Sequence, residues 1–151
     1  MKATTPLTPY QVDTLIMALL DDPVADRRRQ IALQLVQYHV KEHDQILRNK
    51  IASNLIRALA KENNEFVRVI LVIGLERLVG THDANVVPTL KKVLLNDPIT
   101  LVRAAAADAL GKIHSKDSME ALWFSYQNDN DDEVRYHAQI ALNAIRNSLQ
   151  S

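Results

Sequence analysis

Apolar residues recur along this chain three, four and seven positions apart, which is the spacing of an amphipathic α-helix. The pattern is repeated in eight segments separated by short polar turns. It predicts helices near residues 9–20, 24–41, 45–61, 65–79, 84–95, 98–113, 118–127 and 132–149. We therefore expect an all-α fold of about eight helices.

Helix start signals support these segments. Thr8 and Gln11 have the spacing of a capping box, with proline at the first helical position. An aspartate precedes three other segments, and one has a glutamate, Glu120, three residues further on; these aspartates are Asp44, Asp83 and Asp117. The Asp-Pro pairs at 22–23 and 97–98 can end one helix and start the next, because proline is tolerated in a first turn.

One motif recurs four times and joins the helices in pairs. An acidic turn residue is followed six positions later by an arginine, and the four arginines are Arg28, Arg68, Arg103 and Arg135. Their spacing of roughly 32 to 40 residues is typical of stacked helical hairpins. It predicts four hairpins near 9–41, 45–79, 84–113 and 118–149, in a single domain spanning residues 1–151.

The motif also sets the expected core. Counted from the arginine, positions −1, +3, +6, +7 and +10 form an apolar stripe on each second helix. This register predicts burial of Leu75, Leu110 and Leu142, all at +7, and we also expect burial of Ala107 beside the stripe at +4.

The third copy of the motif resembles the short bacterial HEAT repeat, including the kind grouped with phycobilisome-lyase proteins. The resemblance rests on Pro88, Asp97, Pro98, Val102, Arg103, Ala106, Ala107, Ala109, Leu110, Gly111 and Ile113. It covers almost the whole chain and is weakest in the first copy. It implies an α-solenoid that acts as a protein-binding scaffold, in which the acidic residues and arginines form a ladder between successive hairpins.

Composition narrows the function classes. The formal net charge of +0 argues against a general polyanion binder, so nucleic acid is not an expected partner. The chain has no cysteine, which excludes thiolate chemistry and fits a cytoplasmic location. The apolar run 15–20 is too short for a membrane span and has acidic flanks, so we expect no membrane partner.

Candidate chemistry is sparse. The run Arg27, Arg28 and Arg29 could touch phosphate or be solvated surface. Residues 39–43 spell H-x-x-E-H, a zinc-peptidase motif, but at a helix end without a further ligand. Residues 129–133 resemble part of a calcium loop but lack its glycine and distal glutamate. We expect no catalytic residues, no metal and no cofactor.

The second helices carry the main functional signal. Positions +1, +5 and +8 lie opposite the core stripe, and in HEAT-like stacks this face lines the concave side. Several of these positions are apolar, which is typical of an interface, although strong curvature could bury them. The predicted partner-binding residues are Arg29, Leu33, Val36, Val69, Ile73, Glu76, Asp108, Tyr136 and Ile140.

Trp123 and Phe124 are secondary partner-binding candidates. In the third hairpin the equivalent residues are Lys91 and Lys92, which should face solvent. The two aromatic rings could form an interaction hot spot or pack on the preceding helix.

These observations favour a non-catalytic scaffold or adaptor that binds a peptide or helix of another protein on its concave face. The resemblance also suggests an alternative, a bilin lyase-like or chromophore-handling subunit. A third class is a nucleic-acid-binding solenoid.

Overall fold

The computed structural model describes residues 7–37, 44–78 and 84–151. Within these ranges the chain forms eight α-helices and no strand, which confirms the all-α fold class. The helices are α1 (Pro9–Asp21), α2 (Ala25–Gln37), α3 (Gln45–Lys61), α4 (Glu65–Arg77), α5 (Val86–Asn96), α6 (Thr100–Ile113), α7 (Met119–Asn128) and α8 (Asp132–Gln150). A 3₁₀ turn, Lys116–Ser118, precedes α7.

Consecutive helices pack in pairs as the motif predicts: α1 with α2, α3 with α4, α5 with α6, and α7 with α8. The four hairpins form two compact units, Met1–Asp83 and Ala84–Ser151. Inside each unit the two second helices pack side by side, α2 against α4 and α6 against α8, and the first helices do the same.

The predicted core stripe is buried. Leu75, Ala107 and Leu110 have no exposed surface and Leu142 is almost fully covered. The first hairpin departs from the pattern, because the stripe positions there include Arg27 and Gln34, which are exposed. Polar side chains at those positions leave α2 with a smaller buried face than α4, α6 and α8.

Helix ends agree with the sequence signals in two cases. Thr8 and Gln11 form a complete capping box, and the carboxylate of Asp44 accepts a hydrogen bond from the N–H of Leu47. Asn64 is a further N-cap, since its side chain accepts from the N–H groups of Phe66 and Val67. Asp83 lies outside the described residues, as do the predicted ends of the second and fourth helices.

Three predicted starts are wrong. Helix α5 begins at Val86 rather than at residue 84. Asp117 does not cap α7, because it lies within the 3₁₀ turn, and the N-cap residue, Ser118, makes no side-chain capping bond. Helix α6 begins at Thr100 rather than at residue 98. The carboxylate of Asp97 accepts a hydrogen bond from the N–H of Ile99 at 3.1 Å, which holds Pro98 in a turn before the helix.

Helix α6 ends at His114, which takes the left-handed conformation with φ of 54°. This conformation reverses the chain after a helix and is usually supplied by glycine. His114 therefore closes the end of α6. Among the described residues, no helix is both long and apolar enough to span a lipid bilayer.

Candidate functional site

The acidic residue and the arginine of each motif are joined through the backbone of one turn. The acidic side chain accepts a hydrogen bond from the N–H two residues later in all four hairpins, at 2.8 to 3.1 Å. The backbone carbonyl oxygen of the same acidic residue accepts a hydrogen bond from Nη1 of the arginine six residues later, again in all four hairpins. The six-residue spacing is therefore explained by a closed turn between the two helices of a hairpin.

Arg28 and Arg103 also bind a carboxylate of the next hairpin. In the first unit, Nε and Nη2 of Arg28 donate to the carboxylate of Glu62 at 2.7 and 2.9 Å. In the second unit, Arg103 binds Asp129 in the same bidentate way at 2.8 and 2.9 Å. Both carboxylates are largely buried, so these pairs tie two hairpins together in a water-poor site.

The electrostatics of the two carboxylates reflect this arrangement. Burial by itself would raise the pKa of Glu62, but hydrogen bonds from Arg28 and from the N–H groups of Asn64 and Asn63 hold that pKa below its usual value. Burial likewise opposes ionisation of Asp129, and hydrogen bonds from Arg103 and the N–H of Asp131 lower the pKa of its carboxyl overall. Both groups therefore stay ionised as permanent partners of the arginines.

The basic run 27–29 does not form one cationic surface. Arg28 is held by Glu62, and Arg27 pairs with the carboxylate of Asp22 at 3.1 Å. Arg29 is exposed. The three side chains thus have three different environments, which disfavours a concerted grip on phosphate.

The predicted partner-binding positions in the first unit are mostly half-buried. Arg29 is exposed, whereas Leu33, Val69, Ile73 and Glu76 are partly covered. Val36 packs against α4: a Cβ added at Gly74 would lie 2.6 Å from its Cγ2. Val36, at position +8 of α2, therefore contacts Gly74, at position +6 of α4.

In the second unit the equivalent face of α6 is used to pack against α8. A Cβ at Gly111 would lie 2.8 Å from Cα and Cβ of Ala141, so the two helices approach closely there. Ala104 is buried. Asp108 remains partly exposed, and its Oδ1 lies 2.7 Å from Nδ1 of His137. On α6 positions +1 and +8 are therefore buried, because their small side chains admit the neighbouring helix.

On α8, positions +1, +5 and +8 are all exposed. Tyr136 is 61% exposed and Ile140 is 44% exposed, and Asn143 is also exposed. The Tyr136 ring meets the His137 ring edge to face, with centroids 5.8 Å apart. Tyr136 and Ile140 are thus exposed to solvent on α8, at positions +1 and +5. The same positions of α6 lie on the face that packs against α8.

Trp123 and Phe124 also remain on the surface, 50% and 58% exposed. The Trp123 ring contacts Tyr126 on its own helix, with centroids 5.7 Å apart. Phe124 and Leu95 border a cleft of about 220 Å³ that has Arg103 and Asp129 among its lining residues. This volume is below the ~300–1,000 Å³ of typical small-molecule pockets, so the cleft suits a single side chain.

A comparison with known protein families matches residues 52–143 to HEAT repeats. The chain belongs to the HEAT-repeat family. Repeats of this family commonly mediate protein–protein interactions. A search of curated proteins found no match.

Sequence reasoning missed several residues of this HEAT-repeat surface. His137 had no assigned partner, and its contact with Asp108 joins two helices 29 positions apart in the chain. Asp132 and Glu133 fall within the predicted helix 132–149 but were not assigned to the interaction surface, and they form the exposed first turn of α8. The helical spacing of Glu133, Tyr136 and Ile140 was the available signal, because residues three and four apart share a face.

No group of three or more metal-ligating side chains is arranged to hold an ion within 7–37, 44–78 and 84–151. The zinc-peptidase motif at 39–43 lies outside these residues, and so does His82.

Proposed function

We propose that this HEAT-repeat chain is a non-catalytic scaffold that binds a helix of another protein on its second helices, with α8 as the principal docking element. The observation that carries the proposal is the exposure of Tyr136 and Ile140 at positions where α6 makes a helix–helix contact. Exposed apolar side chains that share a helix face are typical of interaction sites.

The contact between α6 and α8 supports a helical ligand. Asp108, at position +5 of α6, contacts His137, at +2 of α8. Gly111, at +8 of α6, lies against Ala141, at +6 of α8. The corresponding positions of α8 are Ile140 and Asn143, and both side chains are exposed. A partner helix can therefore lie along this face of α8.

Tyr136 is the expected anchor of this surface. Its ring provides apolar area at a low cost in side-chain entropy, and its hydroxyl can still bind water or a partner. In the first unit, Arg29, Leu33, Val69, Ile73 and Glu76 form a second, more covered surface of the same type. Val36 supports that surface by packing at Gly74. We propose that this surface makes weaker contacts with the same kind of ligand.

Capture from the native cell, followed by mass spectrometry, tests the proposal. Tyr136→Ala and Ile140→Ser should keep the melting temperature and lose a specific protein that the unmodified chain retains. Tyr10→Ala and Met17→Ala are matched controls, because they remove exposed large apolar side chains from a first helix, α1. Equal capture by all four variants would refute a docking role for α8.

The adaptor role belongs to the same proposal and rests on the resemblance and the apolar face, and the cytoplasmic location rests on the absence of cysteine. The lyase-like subtype of HEAT repeat makes chromophore handling an alternative, supported by the sequence resemblance alone. Recovery of a coloured ligand with the captured chain would favour that alternative over the adaptor role.

A further inference from the structure

Acidic residues share the helix face of the exposed residue Tyr136. Asp132 and Glu133 lie one helical turn before it on α8, and both side chains are exposed. On another side of the ring stands His137, whose Nδ1 is 2.7 Å from the carboxylate of Asp108 on α6. Two acidic side chains of α8 thus lie within one turn of an accessible aromatic residue, and a third, on α6, contacts the histidine beside it.

Positive charge on α8 reaches one of these carboxylates, that of Asp132. Arg135 donates from Nη1 to the backbone carbonyl of Asp129 in the turn, and its Nη2 contacts Asp132. Further along α8, the exposed face continues with Ile140 and Asn143, which carry no charge. The surface is therefore acidic at the N-terminal end of α8 and apolar one to two turns later.

We propose that the helix bound by α8 is basic and amphipathic, with an arginine or lysine lying against Tyr136 between Asp132 and Glu133. This inference rests on the proposed function, since it specifies the ligand of the same surface. A cation over an aromatic face is attracted by the ring quadrupole, and adjacent carboxylates add charge complementarity that steers association. An apolar side chain of the ligand covers Ile140.

The geometry of α8 sets the spacing in the ligand. Glu133 and Ile140 are two turns apart, which is about 10.5 Å at 1.5 Å per residue. A partner helix lying along α8 matches this distance with a basic and an apolar residue seven positions apart.

The residues of α8 also disfavour a close-packed partner. Asn143 is at position +8 of α8. On α6 the same position is Gly111, whose lack of a side chain lets α6 approach Ala141 closely. A side chain there keeps a docked helix further away, so contact needs long side chains on the ligand. Arginine and lysine have the required reach and can lay their aliphatic stems on apolar surface.

Two synthetic peptides of about 18 residues, or five helical turns, test this inference with the full chain. One carries an arginine and, seven positions later, a leucine on a single helical face; the other has glutamate in place of the arginine. We expect the arginine peptide to bind at least about tenfold more tightly by fluorescence anisotropy at low salt. Its circular dichroism should become more helical on binding.

Charge variants of α8 complete the test. The double variant Asp132→Asn with Glu133→Gln should remove most of the preference for the arginine peptide. Glu120→Gln, an exposed glutamate of α7, is the matched control and should leave it unchanged. A preference that survives the double variant would overturn the inference.

Failure of the inference and failure of the proposed function give different results. Equal affinity for both peptides, abolished by Tyr136→Ala, would refute a basic ligand and leave α8 as a docking element. Binding that Tyr136→Ala does not weaken, or no binding of either peptide, would refute both. Sedimentation that shows self-association, lost on Tyr136→Ala, would instead assign the surface to a second copy of the chain.

Discussion

The guanidinium of Arg103 binds the carboxylate of Asp129 through two hydrogen bonds of 2.8 and 2.9 Å. Its remaining nitrogen, Nη1, donates to the backbone carbonyl of Asp97 at 3.0 Å. One side chain thereby joins the turn of its own hairpin to the turn of the next. This double attachment explains why the motif requires arginine, since lysine lacks the planar fork that binds both groups.

Removing either partner of this pair should destabilise the fold. We expect Arg103→Ala and Asp129→Asn each to lower the free energy of unfolding by about 3 kcal/mol, because a largely buried charge loses its partner. The double variant should lose less than the sum of the two, since it leaves no uncompensated charge. Urea unfolding of the four proteins measures this, and strict additivity would contradict a direct interaction. Arg29→Ala, at an exposed position, is the control.

Stability should decline in acid through the two ladder carboxylates. Glu62 and Asp129 have pKa values lowered in the folded state. Their stabilisation is therefore complete above the unfolded pKa values of about 4 and is lost as the pH falls through the lower folded pKa values.

Asp129→Asn tests this linkage, because the amide cannot titrate. The unmodified chain should lose more unfolding free energy than this variant between about pH 6 and about pH 3. Urea unfolding at several pH values provides the comparison. Parallel pH profiles for the two proteins would show that the Asp129 carboxyl is not linked to acid unfolding.

The two helical glycines should differ in their tolerance of a methyl group. At Gly111 the added Cβ meets the backbone of Ala141, so we expect overpacking to exceed the helix-propensity gain of about 1 kcal/mol and destabilise the protein by about 1–2 kcal/mol net. At Gly74 it meets the side-chain methyls of Val36 and Leu55, which can move. Gly74→Ala should therefore cost less. Thermal melting of both variants decides the order, and a lower melting temperature for Gly74→Ala would contradict the close approach of α6 and α8.

His114 offers a stabilising substitution. With φ of 54°, it holds a backbone conformation that glycine adopts more readily than other residues. We expect His114→Gly to raise the free energy of unfolding by about 0.5–1 kcal/mol. His114→Ala should not stabilise, because alanine keeps the Cβ. A gain with alanine equal to that with glycine would point to the imidazole, rather than the backbone, as the source of the effect.

The sequence by itself determined the helical hairpins and their core. The 3.6-residue period and the acid-to-arginine spacing are local properties, so Leu75 and Leu110 could be assigned to the core from one helix at a time. The ladder between hairpins was implied by the resemblance to HEAT repeats, and the motif itself is explained by a turn that closes within six residues. The start of α6 was less certain, because Asp97 can cap a turn as well as begin a helix.

Tertiary structure decided which of the opposite-face positions remain exposed. Ala104, Gly111, Tyr136 and Asn143 occupy equivalent positions, yet the first two are buried and the last two are exposed. The difference depends on whether another helix lies alongside, and helical periodicity carries no information about the distance to a neighbour. The Asp108–His137 contact was hidden for the same reason, because it joins two faces that meet only when α8 packs on α6.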